Sequence, residues 1–363
     1  MDTFGIGIVG TGNIAGGYAR NILTHPQLRL EAATDLDPVR LAAFGAEHSC
    51  RTHATLDELL ADPAVDIVVN LTVHHAHYEV TKRALEAGHH VYSEKPMALH
   101  ATEARELIDI ANARGLRLGC SPSTFLGEAQ QTAAAWIRDG RLGTVRAIYA
   151  DVSWGRIETW HPSPAAFFDV GVMVDVSVYP LTLATSIIGP ARSVRAWGWD
   201  VMRDRVALDG TPFRIGSPDL IVAAVELEGG AVLRLTASFY VGKPVKNRGG
   251  LEFHGDAASF ALGSFQDFNA TVEVGPFDGT YEPVPHVRPP FVGIAWARGL
   301  ADMADAISEG RPHRIAAEQA AHVVDILEAA KASMAADGRR IEVTSTISAP
   351  PLMPWAVLPA KGD

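Results

Sequence analysis

Gly10-Thr11-Gly12-Asn13-Ile14-Ala15 follows directly on the apolar run Phe4–Val9 and opens an amphipathic stretch over residues 13–24. In that strand, turn and helix context each glycine has a physical task. Gly10 permits the tight turn, and Gly12, with no side chain, leaves the first amides and the positive end of the helix dipole open to a pyrophosphate. Ala15 stands at the third, packing position. A glycine turn that merely joins a strand to a helix would read the same way, but Asp35 adds a second signal. It closes the next apolar run, Leu28–Thr34, near the interval of about 20 residues at which an acidic group accepts a hydrogen bond from an adenosine ribose and repels a 2′-phosphate. The spacing favours NAD over NADP, with Gly10, Gly12, Asn13, Ile14 and Asp35 as the cofactor contacts. The competing reading of Asp35 is a turn cap shared with Asp37 and Pro38.

Further apolar runs at 66–72, His90–Ser93 and 116–119 alternate with amphipathic windows at 38–47, Leu56–Leu60, 76–87 and 102–114. This alternation predicts an α/β domain, a doubly wound parallel sheet of the Rossmann kind, over residues 1–120. Beyond Pro122 the strands lengthen, at 145–154, 193–199, 220–228 and 232–240, and Gly229-Gly230 between the last two signals a hairpin. Residues 121–363 are thus expected to form an α+β domain with a large, mainly antiparallel open sheet and helices at 174–188, 296–308 and 316–336. The Pro-rich segment 349–363 reads as an extended tail anchored by Leu352 and Trp355.

A net charge of −11, with no basic cluster, argues against a nucleic-acid partner. The absence of a basic leader and of an evident apolar run of about 18 residues argues against secretion and membrane insertion. Cys50 and Cys120 are the only cysteines and form no CxxC motif, so a reducing, cytoplasmic setting is expected.

After the strand at 66–72 comes Val73-His74-His75-Ala76-His77, and the strand His90–Ser93 is followed by Glu94-Lys95-Pro96. With the glycine fingerprint, Trp160-His161-Pro162, the segment 171–180, Gly189-Pro190 and the helix beginning near Arg298, the chain resembles the glucose-fructose oxidoreductase / inositol dehydrogenase / rhizopine catabolism (Gfo/Idh/MocA) family along essentially its whole length. Three positions depart from the family's pattern. Val73 replaces a frequent Pro, the glycine-rich lead into the second-domain helix is reduced to Gly171, and Tyr179 stands four residues after Asp175 where His is common.

The resemblance implies a nicotinamide-dependent dehydrogenase or reductase acting on a secondary hydroxyl of a sugar, cyclitol or related polyol, assembled as a homodimer or homotetramer. Hydride removal from an alcohol needs a base for the hydroxyl proton and a group to hold the developing alkoxide, and Lys95 and Tyr179 are the candidates. Both titrate near 10 when free, so neighbouring positive charge must lower whichever acts as base. At i and i+4 of one helix, Asp175 and Tyr179 would share a face, and Asp175 could orient a substrate hydroxyl. Thr72, His74, His77 and Glu94 are further cofactor contacts by resemblance, while Phe125, Arg156, Trp160 and His161 are candidates for holding a polyhydroxylated ring. The adjacent His74, His75 and His77 lack the spacing of a metal site, and no metal is expected. Reduction of a dihydrodiol or non-sugar carbonyl, and a nucleotide-binding regulator that turns nothing over, are the rival functions. Sequence leaves open whether the Lys95-Pro96 bond is cis.

Overall fold

The computed structural model describes residues 2–242, 245 and 249–360. The chain divides into two compact units, one of residues 1–123 with 295–324 and one of residues 124–294 with 325–363. The division expected after residue 120 therefore misses a return. Residues 295–324 pack with the first unit because Trp296 lies against Tyr18, with ring centroids 5.7 Å apart. The Ala297 amide also donates to Asn21 Oδ1 at 2.7 Å.

In the first unit six parallel strands follow the order β3-β2-β1-β4-β5-β6. They are β1 Phe4–Val9, β2 Leu28–Thr34, β3 Arg51–His53, β4 Ile67–Asn70, β5 His90–Ser93 and β6 Leu118–Cys120. The crossovers are α1 Ala15–Ile22, α2 Pro38–His48, α3 Leu56–Leu60, α4 His77–Glu86 and α5 Ala101–Ala113. This is the doubly wound order whose reversal point, between β1 and β4, opens a crevice at the carboxyl ends of the strands. Sequence chemistry sets the helix starts. Asp37 caps α2 by accepting from the amides of Val39 and Arg40, with Pro38 at the first helical position. Val68, Val91, Leu107 and Leu118 are among the residues of a dry core between the sheet and its helices.

The second unit is built on a nine-stranded sheet in the order β16-β15-β14-β13-β7-β12-β11-β8-β17. Its strands are β7 Val145–Ser153, β8 Ala191–Trp199, β11 Leu220–Leu227, β12 Val232–Ser238, β13 Leu251–Gly255, β14 Ala258–Leu262, β15 Val272–Pro276, β16 Glu282–Pro283 and β17 Ile341–Glu342. All neighbours are antiparallel except β12 and β7. Gly229 and Gly230, at φ 78° and 87°, make the turn between β11 and β12 that their sequence called for. A separate two-stranded hairpin, β9 Asp204–Val206 and β10 Pro212–Arg214, had no sequence signal.

Cross-strand rows such as Val194, Val225, Leu233, Ile148, Phe253 and Phe260 bury one face of the large sheet. That face lies under α6 Glu128–Arg138, α7 Ala165–Asp175 and α8 Val178–Ile188. The opposite face is a mixture: Tyr149, Trp197 and Trp199 are exposed, but Arg234 lies over the Tyr149 ring and pairs with Asp151.

The helix expected at 174–188 is two helices, with turn residues Val176 and Ser177 between α7 and α8 and a further break at Gly171, whose φ of 81° and ψ of 159° are not helical. Asp175 is therefore the last residue of α7 and Tyr179 the second of α8, so the shared face expected of one helix at i and i+4 does not form. The expectation that no apolar run approaches spanning length also needs correcting. Within Ala165–Ile188 an 18-residue window reaches a mean hydropathy of 1.5, and 89% of that window is buried within the protein, as core helices are. The remaining helices are α9 Arg298–Glu309, in the first unit, and α10 Ala317–Ala335.

Candidate active site

The turn after β1 rests on one obligatory glycine and one open one. Gly10 has φ 93°, and a Cβ there would sit 2.8 Å from the Leu71 carbonyl oxygen, so only glycine lets β1 and β4 separate at this point. A Cβ on Gly12 would meet nothing within 4 Å. Ala15 is fully buried. Helix α1 has Ile14 at its N-cap position, with no side-chain cap and no acidic residue in its first turn, which leaves its amide end suited to an anion. The cradle fits a dinucleotide pyrophosphate.

Asp35 closes β2 and ties this turn down. Its carboxylate accepts from the Thr11 amide at 2.6 Å and the Thr11 hydroxyl at 3.0 Å. It also accepts from the Asp37 amide at 2.8 Å and from Arg40 Nη2 at 2.8 Å. Burial pushes the carboxyl pKa up, but the hydrogen bonds from Arg40, Asp37 and Thr11 outweigh it and hold the group at about 2. Both readings of Asp35 thus have a basis: it organises its own turn, and it presents a permanent negative charge. The Arg40 side chain covering it is half exposed.

At the ends of β4 and β5 five of the candidate residues, Thr72, His74, His77, Glu94 and Lys95, are brought together. Buried Asn70 accepts from the Thr72 hydroxyl at 2.7 Å and donates to the His77 carbonyl at 3.0 Å. The His77 ring has Nδ1 2.7 Å from the Pro96 carbonyl and Nε2 3.0 Å from the Thr72 carbonyl. Burial lowers its pKa despite those two contacts. His77 therefore acts as a staple between the two strand ends, its ring engaged within the protein. The His74 ring lies 5.9 Å from it, and His75 is exposed. Among the described residues no group of three His, Cys, Asp or Glu could hold a metal ion.

Glu94 is buried, accepting from the Tyr18 hydroxyl at 2.7 Å and from the Lys95 amide at 3.1 Å. Ser121 Oγ lies 2.9 Å from Tyr18 Oη and 3.0 Å from Tyr92 Oη, which extends the chain of hydrogen bonds to β6. Burial raises both phenol pKa values, that of Tyr92 to about 12, so both remain protonated donors. Tyr18, Tyr92 and Ser121 were not singled out from the sequence; the one available signal was a polar-tipped aromatic on the buried side of α1. The Lys95-Pro96 and Ser121-Pro122 bonds are both cis.

In the second unit Arg156, Trp160 and His161 lie on one loop, as the sequence suggested. The Arg156 guanidinium sits over the Tyr240 ring at 4.9 Å, and Trp160, 43% exposed, packs edge-on against His161 and Phe167. His161 Nδ1 accepts from the Ser163 amide at 3.0 Å. Exposed aromatic faces beside a cation suit a polyhydroxylated ring. Phe125, by contrast, is 4% exposed, and its carbonyl accepts from Gln131, so it belongs to the core. Asp175 is buried at the end of α7, and Tyr179 stacks on Phe265 with ring centroids 5.4 Å apart. Sequence reasoning also missed Arg205, Glu158 and Asp219, an ion cluster inside this unit.

Residues 4–121 match the family model described as an oxidoreductase family, NAD-binding Rossmann fold, and residues 130–261 match the GFO/IDH/MocA C-terminal domain. D-xylose 1-dehydrogenase (NADP(+)) of Hypocrea jecorina is 30% identical over 198 residues, 48% of this chain and 51% of that protein. UDP-N-acetylglucosamine 3-dehydrogenase of Acidithiobacillus ferrooxidans is 28% identical over 241 residues, 66% of this chain and 68% of its own. The chain spans about half the length of several curated relatives it matches. Among solved structures, levoglucosan dehydrogenase in complex with NADH and L-sorbose shares the fold, with a TM-score of 0.83 at 17% identity over 94% of this chain and 99% of that one.

Proposed function

The chain belongs to the Gfo/Idh/MocA oxidoreductase family, and on that premise we propose that it transfers hydride between NAD and a secondary hydroxyl or carbonyl of a sugar, cyclitol or related polyol. The observation that carries the reading is the cradle at the first turn, with an open approach above Gly12, an uncapped helix end, and an ionised Asp35 at the end of β2. The substrate class is supported by the sugar-acting relatives and by the exposed Trp160, Arg156 and Tyr240.

When bound, the nicotinamide supplies the hydride acceptor. Gly12 and the first amides of α1 bind its pyrophosphate. His77 and Glu94 hold the two strand ends, and with them the backbone that carries Lys95, in fixed positions. Tyr179 takes the hydroxyl proton of the substrate, with Lys95 as the rival for that role, and Asp175 orients a hydroxyl. The reaction is assigned to the cytoplasm, in keeping with free Cys50 and Cys120. Copies of the chain are expected to associate through the exposed face of the nine-stranded sheet.

Arg40 favours a second, weaker use of NADP, since a half-exposed guanidinium beside the ribose position can leave Asp35 for a 2′-phosphate. The test is a panel of sugars, cyclitols and polyols with NAD, following reduced nicotinamide, together with titration of NADH and NADPH. Turnover of a panel member and tighter NADH binding are expected, and Asp35→Ala should narrow the difference. No turnover across the panel would refute the substrate class, and tighter NADPH binding the cofactor assignment.

A further inference from the structure

The β9–β10 hairpin places a single side chain in the interior. Of its strand residues only Arg205 is buried, at 2% exposure, while its neighbours Asp204 and Val206 face solvent. The guanidinium it delivers is nearly saturated. Nη1 donates to Glu158 at 2.8 Å and 2.9 Å and to the Phe239 carbonyl at 3.3 Å. Nε donates to the Met202 carbonyl at 3.0 Å, and Nη2 to Asp219. Asp219 also accepts from the amides of Val201 and Met202. The face of the guanidinium lies 4.7 Å from the Phe168 ring centroid.

Two carboxylates and one cation in a dry interior are an expensive way to gain stability, since apolar packing of similar volume does as well or better. What such a cluster can supply is a fixed geometry. Glu158 lies between Arg156 and Trp160 on the loop already described, in the short turn Ile157–Thr159. The amides of Trp160 and His161 both bond to the Ile157 carbonyl, so anchoring Glu158 anchors the turn that presents those side chains.

We propose that the hairpin is a positioning device for substrate recognition: Arg205, braced on Asp219, fixes Glu158 and thereby sets the pose of Arg156, Trp160 and His161. The proposal rests on the reading that this loop meets the substrate. Arg205, Glu158 and Asp219 are positioning residues and touch no reacting atom.

Glu158→Gln keeps the shape and removes the charge, so it tests the device with the least risk to folding, and Arg205→Met and Arg205→Lys form the companion pair. In the full-length protein, Glu158→Gln should raise KM for the polyol substrate roughly tenfold or more, with a much smaller fall in kcat and unchanged NADH affinity. Hydrogen exchange should quicken at the amides of residues 159–161. Arg205→Lys, which keeps the cation and loses the fork, should fall between wild type and Arg205→Met. A folded Glu158→Gln variant with wild-type KM and wild-type exchange would overturn the proposal. If the wild type turns over no polyol, the functional reading fails and the role in substrate recognition fails with it, whereas exchange still decides the bracing by itself: faster exchange confined to this loop upholds the anchoring of residues 159–161 by Glu158, and unchanged exchange refutes it.

Discussion

Gly10 and Gly12 stand two residues apart in one motif, yet the structure separates what each is for. Alanine at 10 would be forced to φ 93° and pressed against the Leu71 carbonyl, whereas alanine at 12 would meet open space. Gly10→Ala should therefore cost about 1–3 kcal/mol of folding stability, measured by denaturant unfolding. Gly12→Ala should leave unfolding unchanged while weakening NADH binding roughly tenfold by titration. For the proposed proton transfer, Tyr179→Phe should lower turnover by about 10² to 10⁴ with NADH affinity nearly intact, and Lys95→Met should damage both. Near-wild-type kcat in the Phe variant would move the base role to Lys95. Residues such as Gly10 and Asp35 were legible because a backbone conformation or a charge at a fixed interval demands a particular residue type. Arg205 was not, since its partners Glu158 and Asp219 lie far off in sequence, and His77, a cofactor contact by resemblance, gave no sign of its contact with the Pro96 carbonyl. A cation among Arg203 and Asp204 looks like part of a solvated surface until the fold buries it.

Elements with a clear period were readable, and those without one were not. The parallel strands of the first unit and the Gly229-Gly230 turn follow from runs bounded by breakers. In 165–188 nearly every side of the chain is apolar, so no amphipathic rhythm marks where α7 starts or where it yields to α8. Strands β13, β14 and β15 are five residues each and mix polar with apolar side chains, which leaves them indistinct from loops. Gly171 is the one strong marker in this region. A Cβ there would lie 2.9 Å from Ser217 Oγ, which donates to the Phe168 carbonyl at 2.7 Å. Gly171→Ala should lower stability by about 1–3 kcal/mol and, by displacing the turn that precedes Asp175, raise KM for substrate; thermal melts and steady-state kinetics read the two effects.

For the molecule as a whole, the exposed sheet face yields an expectation about assembly. Tyr149, Trp197 and Trp199 are exposed on that face, with the Arg234–Asp151 pair on the same face, and large aromatic side chains gathered on an open sheet face commonly mark an interface. Light scattering at micromolar concentration should give a multiple of 38.8 kDa, and Trp199→Asp should shift it toward that single-chain mass. The lengthening of the strands after Pro122 was legible, as β7 and β8 of the second unit run nine residues each. The return of 295–324 was not, because nothing in its local pattern tells which core its apolar face will join. That return has a consequence for how the protein comes into being. The half that is synthesised first cannot be finished until Trp296 and Ala297 have left the ribosome, after all of residues 124–294. Until then Tyr18 lacks its indole neighbour and Asn21 the amide it binds, so the nascent first half must wait, with part of its core uncovered, for the length of an entire second unit. A nascent chain stalled just before residue 295 therefore still offers chaperones and proteases an unfinished first unit, long after that unit's own strands have been made.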